Sequence, residues 1–304
     1  MMRVSYGEAL TALGTVNKNV VVLDADLSHA TFTKTFASAF PDRFFNVGIA
    51  EANLIDMSVG MACMGFIPFC STFALFGTGR AYEQIRNGVA YPGKNVKICC
   101  THGGITVGED GGSHQSIEDY ALMRVIPGMT VIVPSDSNQV MKAVPAIASY
   151  EGPVYMRIGR SPSQVLPEQN FEIGKANVLA DGSDIALFAC GIMVPEALDC
   201  AAVLAKKGIR AAVINMHTIK PIDEKCIMSF AEKCGRIVTM EEHSVIGGLG
   251  DAVGAVLLEH HPVPFLKLGI NDQFGQSGTP RELMDAYGLS SNAMIPRLLA
   301  FLGR

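Results

Sequence analysis

The chain has no tryptophan, carries charge on only 17% of its 304 residues, and contains no run of lysine or arginine; its formal net charge is −5. With nothing to neutralise a phosphate backbone, nucleic acid is not expected as a partner. The greasiest region, residues 54–76, is broken by Asp56, Gly60, Gly65 and Pro68, and so reads as a buried helix followed by a buried strand rather than a membrane span. The opening MMRVSYGEAL lacks the apolar stretch and cleavage site of a secretory signal, so a cytoplasmic location is expected. Eight cysteines form no CxxC pair, which favours reduced, buried thiols over metal ligation. Neither GxxxxGK(S/T) nor GxSxG occurs, which excludes a Walker loop and a hydrolase elbow.

What is present is apolar material, 49% of the residues, enough for one large core or two ordinary ones. Short apolar runs at 20–27, 67–73, 96–102, 130–136 and 154–159 read as buried strands, bounded by Gly, Pro or Asp. Segments with helical period fill the gaps at 53–63, 79–90, 115–125 and 137–149, the last with Asp136 or Ser137 available as a cap. Residues 161–183 interrupt the alternation with Pro162, Pro167 and polar side chains and read as a linker. Beyond them the pattern resumes with DIALFACG, AAVINMHT and RIVTMEE as strands, and with helices at 194–208, 223–234 and 280–288. The expected fold is therefore α/β, with two doubly wound domains: a larger parallel sheet over 1–160 and a smaller α/β domain over 184–304.

The stretch 101–119, THGGITVGEDGGSHQSIED, sets His102, Glu109, Asp110 and His114 among glycines between two apolar segments. Glycines let backbone approach a ligand, and imidazoles with carboxylates suit proton transfer near neutral pH. General acid/base work and hydroxyl binding fit this loop better than metal ligation, since the histidine spacing matches no usual ligand pattern; a purely solvated loop is the plainer alternative. In NVGIAEAN, Glu51 is either a first-turn acid favoured by the helix dipole or a carboxyl able to share a proton with a heterocyclic nitrogen. By spacing Phe73 and Phe76 are core residues, yet they stand where a strand gives way to a helix, the place where open α/β sheets hold ligands. GGLGDAVG (247–254) has the glycines of a dinucleotide fingerprint without the acidic residue that should follow, so tight helix packing is the expected role.

NVGIAEAN, STFALF, GEDGGSHQSIE, PVYMRIGR and EEHSVIGGLG, in this order, resemble the C-terminal half of transketolase, its pyrimidine-binding and C-terminal domains, and most closely the C-terminal subunit of split transketolases. The resemblance runs from about Asp24 to Phe274. It implies that Glu51 bonds the aminopyrimidine of thiamine diphosphate and promotes activation of thiazolium C2. It places Phe73 and Phe76 against that ring and Asp26 near the cofactor. His102, Asp110 and His114 would line the substrate channel, with both histidines catalytic, and Arg160 would hold the substrate phosphate. Further phosphate contacts of the family have no clean equivalent, since Arg3, Ser28 and Thr31 fall out of register. His29, beside Asp26, is read as a polar loop residue.

The family's GDG…N segment for Mg²⁺ (or Ca²⁺) and the diphosphate is missing from this sequence. The resemblance therefore implies that a separate N-terminal subunit holds the metal, that this chain ligates none, and that an α2β2 assembly contains two copies of it. The implied activity is transfer of a two-carbon ketol unit between sugar phosphates in the pentose phosphate pathway. Competing readings are the beta subunit of a 2-oxo acid dehydrogenase decarboxylase, a deoxyxylulose-phosphate-synthase-like enzyme, and a noncatalytic scaffold subunit.

Overall fold

The computed structural model describes residues 1–167 and 169–304. The chain builds a first sheet from β1 (Val20–Asp24), β2 (Phe44–Asn46), β3 (Ile67–Ser71), β4 (Lys97–Thr101), β5 (Thr130–Ile132) and β6 (Val154–Ile158). It then builds a second from β7 (Asn177–Ala180), β8 (Ile185–Ala189) and β9 (Ala211–Asn215), returns β10 (Thr218–Lys220) to the first, and completes the second with β11 (Ile237–Ser244) and β12 (Phe265–Ile270). The orders are β10-β5-β6-β4-β3-β1-β2 and β12-β11-β8-β9-β7. Pairing is parallel throughout except where β10 meets β5 and β7 meets β9.

Central strands β1, β4, β6, β8 and β9 are buried along their whole length. That is why their sequences are near-continuous apolar runs instead of alternating ones: helices cover both faces. The helix Met2–Val16 buries Met2, Tyr6, Ala9 and Leu10 and packs against the helix Ser137–Ser149. Asp136 caps the latter by accepting from the backbone N–H of Gln139 at 2.7 Å, and its other oxygen accepts from Leu166. One apolar cluster is continuous between the two sheets, from Leu23 and Ile98 through Val133 and Cys190 to Phe188 and Ile214. Six of the eight cysteines are buried and all eight are free.

The helix expected at 79–90 is instead two π-helical turns, Phe76–Arg80 and Gln84–Ala90. The helix expected from residue 115 begins at Asp119. Gln115 is spent holding the preceding loop, donating to the carbonyls of Ile105 and Gly108, while the Ser116 carbonyl accepts from Gly104. Part of the segment read as a linker folds as β7, and His29 lies on a single helical turn, its ring 3.3 Å from the Lys34 ammonium. At GGLGDAVG, the Glu241 carboxylate accepts from the backbone N–H groups of Leu249 and Gly250. A Cβ on Gly248 would come within 2.0 Å of Glu241, so this helix start is closed by protein. Among the described residues no helix is long and apolar enough to cross a membrane.

Candidate active site

The residues singled out from sequence follow the carboxyl ends of strands in the first sheet. Asp26 comes after β1, Glu51 after β2, Phe73 and Phe76 after β3, the 102–116 loop after β4, and Arg160 after β6. β1 pairs with β2 on one side and β3 on the other, so successive connections diverge here, at the kind of strand end where open α/β sheets hold ligands.

Glu51 opens the helix Glu51–Cys63 and is 5% exposed. Its two oxygens accept from one Arg80 nitrogen at 3.1 and 3.3 Å. The same guanidinium lies over the Phe76 ring at 4.2 Å. Phe76 stacks with Phe73 at 5.8 Å, Phe73 stacks with His102 at 3.8 Å, and His114 meets Phe76 edge-on at 5.3 Å. Glu51, Phe73, Phe76, His102 and His114 thus form one surface. Arg80 was not marked by any sequence motif; its only signal was its position one short helical segment beyond Phe76.

His102 adopts a left-handed backbone, φ +58°, and its Nδ1 shares a hydrogen bond with Thr101 Oγ1 at 2.8 Å. Burial, and then the charges of Arg3, Arg160 and His114, push its pKa down to about 3. A neutral imidazole at physiological pH is the result, able to exchange hydrogen bonds at Nε2 without adding charge. Arg160 donates to the Val107 carbonyl and to Glu109 at 3.3 Å. Arg3 donates to the Ala30 carbonyl and lies over Phe32; its pKa is lowered by burial and then by Arg160. The fold therefore brings Arg3 into the electrostatic field of Arg160 although its sequence position gave no match. Thr31 turns inward, donating to the buried Asp24 carboxylate at 2.7 Å.

Two expected residues stand apart from the cluster. Asp110 is exposed beside Glu109. Asp26, at φ +63°, exchanges hydrogen bonds with Asn46 at 3.0 and 3.1 Å.

The arrangement can be tested against a flat, nitrogen-bearing ligand. The Arg80 guanidinium shows that one planar N–H group can stack on Phe76 and bond the Glu51 carboxylate at once. An aminopyrimidine can stack on Phe76 in the same way and share a proton between its ring nitrogen and the Glu51 carboxyl, so the ring and carboxyl fit thiamine diphosphate.

Comparison with known proteins extends this. Residues 1–164 match the transketolase pyrimidine-binding domain and residues 174–294 the transketolase C-terminal domain. The chain is 49% identical to a putative transketolase C-terminal section of Methanocaldococcus jannaschii, covering 98% of this chain and 95% of that one. It is 43% identical to a 6-deoxy-6-sulfo-D-fructose transketolase subunit of Clostridium sp. (strain MSTE9), covering 97% and 92%. A solved structure described as a split-gene transketolase in an inactive beta4 tetramer superposes with a TM-score of 0.93 at 48% identity, covering 99% and 98%. Two domain matches in series and near-complete alignment with separate C-terminal sections lead to one conclusion: the chain belongs to the transketolase family and has the form of the C-terminal subunit of a split transketolase.

Proposed function

We propose that this chain works with a separate N-terminal subunit as a thiamine-diphosphate-dependent transketolase that transfers a two-carbon ketol unit between ketose and aldose phosphates. The observation that carries this reading is the buried Glu51 carboxylate facing the Phe76 ring across one planar nitrogen group. The cofactor supplies, when bound, a nucleophilic carbon and a sink for the electrons of the bond being broken.

Each side chain then has a task. Glu51 shares a proton with the pyrimidine nitrogen, and Phe73 and Phe76 hold the ring flat. Asp26 lies at the edge of this cofactor region. His102, neutral by burial, and His114 move protons at the reacting oxygens. Asp110, exposed on its loop, binds a sugar hydroxyl. Arg160 binds the anionic end of the substrate. The Mg²⁺ or Ca²⁺ and the diphosphate are assigned mainly to the N-terminal subunit, in an α2β2 assembly. The transketolase matches to separate C-terminal sections support the two-chain arrangement. A guanidinium recognises an anion and not phosphate alone, so a sulfonated sugar, as named for the Clostridium relative, is the second reading for the donor.

Titration of thiamine diphosphate with Mg²⁺ into this chain, and into its mixture with an N-terminal subunit, tests the proposal. A ketol-transfer assay on xylulose 5-phosphate and ribose 5-phosphate should follow. Tight binding and turnover only in the mixture are expected. Tight binding to the lone chain would overturn the two-chain site, and binding in the mixture without transfer would shift the donor to a sulfonated sugar or a 2-oxo acid.

A further inference from the structure

Beneath the 102–116 loop lies a buried ionic group that none of the roles above uses. Arg157 on β6 and Glu242 on β11 are 3% and 4% exposed. One guanidinium nitrogen of Arg157 donates to the Glu242 carbonyl at 3.0 Å and approaches its carboxylate at 3.4 Å. The other lies 3.5 Å from Asp119, whose second oxygen accepts from the Tyr155 hydroxyl at 2.6 Å. Tyr120 lies over the Arg157 guanidinium at 4.7 Å and stacks on His243 at 4.5 Å. Two carboxylates and one arginine removed from water form a costly arrangement unless the geometry serves something.

The remaining oxygen of Glu242 shows what it serves. It accepts from the backbone N–H of Thr106 at 2.5 Å, inside the loop that carries His102 and His114. The loop backbone rests directly on the pair. A Cβ on Gly103 would come within 2.0 Å of Arg157 Nε, and one on Gly104 within 2.1 Å of the Glu242 carboxyl carbon. Gly104 also needs φ +81°, so both the space and the conformation there require glycine. From the same domain, the Gln276 carbonyl accepts from Gln115 at 2.9 Å, farther along the loop.

We infer that Glu242, on the C-terminal domain, is a positioning residue for His102. Through the Thr106 N–H and the Arg157 guanidinium it fixes the 103–106 backbone, and that backbone holds the His102 ring against Phe73. The role assigned to His102 rests on the proposed function, but the positioning does not need that activity to be observed.

The test uses the full chain. Glu242→Gln keeps the volume, while its amide turns a donor toward Arg157 where a carboxylate oxygen stood. Hydrogen exchange in peptides covering 102–116 should become about tenfold faster, with β4 and β8 unchanged. In ¹³C-histidine-labelled protein, the His102 ring proton, now shielded by the Phe73 stack, should shift downfield. No change in loop exchange or in the His102 signal would overturn the inference. So would faster exchange spread equally over both sheets, since that marks Glu242 as a general stability residue. Should Glu242→Gln not fold, Glu242→Asp keeps the charge but draws the carboxylate back from the Thr106 N–H, and the same two readouts decide. Failure of ketol transfer in the assembled enzyme would sink the proposed function and leave this result standing.

Discussion

The carboxyl ends of the two sheets are built alike and used differently. In the first sheet they lead to Asp26, Phe73, His102 and Arg160, where Phe73 and His102 stack in the candidate site. In the second they end in Asn215, His217, Glu242 and His243, every one of them buried. Asn215 donates to Ser135 and Gln139, His217 stacks on Phe171 at 4.5 Å, and Glu242 accepts from Thr106. Parallel strands converge polar backbone and helix termini on one edge whatever the fold later does with it. Whether that edge becomes a site or an interface depends on what covers it.

The largest effect is expected at Glu51. Glu51→Gln should lower ketol transfer by the assembled enzyme by about a thousandfold, the scale of a lost proton-transfer group, while urea unfolding of the chain stays nearly unchanged. Where Glu242 of the second sheet meets Arg157 of β6, the reverse is expected. Arg157→Met leaves Asp119 and Glu242 buried without a counter-charge, and should cost about 3–5 kcal/mol in urea unfolding.

A pH series sharpens the contrast. Burial pushes the His217 pKa down to about 4 from an unfolded value of 6.5. A depressed histidine takes up a proton on unfolding, so its contribution is intact above pH 6.5 and is lost as pH falls toward 4, on the order of 3 kcal/mol. The wild-type chain should therefore lose more stability than His217→Phe between pH 7.5 and 4.5; equal losses would contradict the assignment. The smallest effect is expected at Arg80, whose side chain is 55% exposed. A half-exposed ion pair contributes at most about 1 kcal/mol, so Arg80→Ala should raise cofactor affinity no more than about fivefold, as read by titration calorimetry.

The buried strands of both sheets were legible because β-branched apolar runs such as Val20–Asp24 tolerate no other placement. So was the helix Ser137–Ser149, marked by its cap Asp136. Short edge pieces were not: β2, β7 and β10 have three or four residues each, too few to show a period. The candidate site was visible as residue types near strand ends. Its Arg80–Glu51 bond was not visible, because π-helical turns change which residues share a face. Nor was the Glu242–Thr106 contact, formed between residues 136 apart; EEHS read as a motif beside a glycine turn, and only the docking of the domains gave its second glutamate a partner.

β10 carries a practical consequence for anyone wishing to dissect this chain. Thr218–Lys220 comes from the second half yet pairs with β5 of the first sheet, and Lys220 donates to the carbonyls of Arg124 and Ile126. A fragment cut anywhere within 161–183 would leave Thr130–Ile132 as a bare apolar margin, a template for self-association. The two halves are therefore units of description, and expression trials should treat them as a single piece.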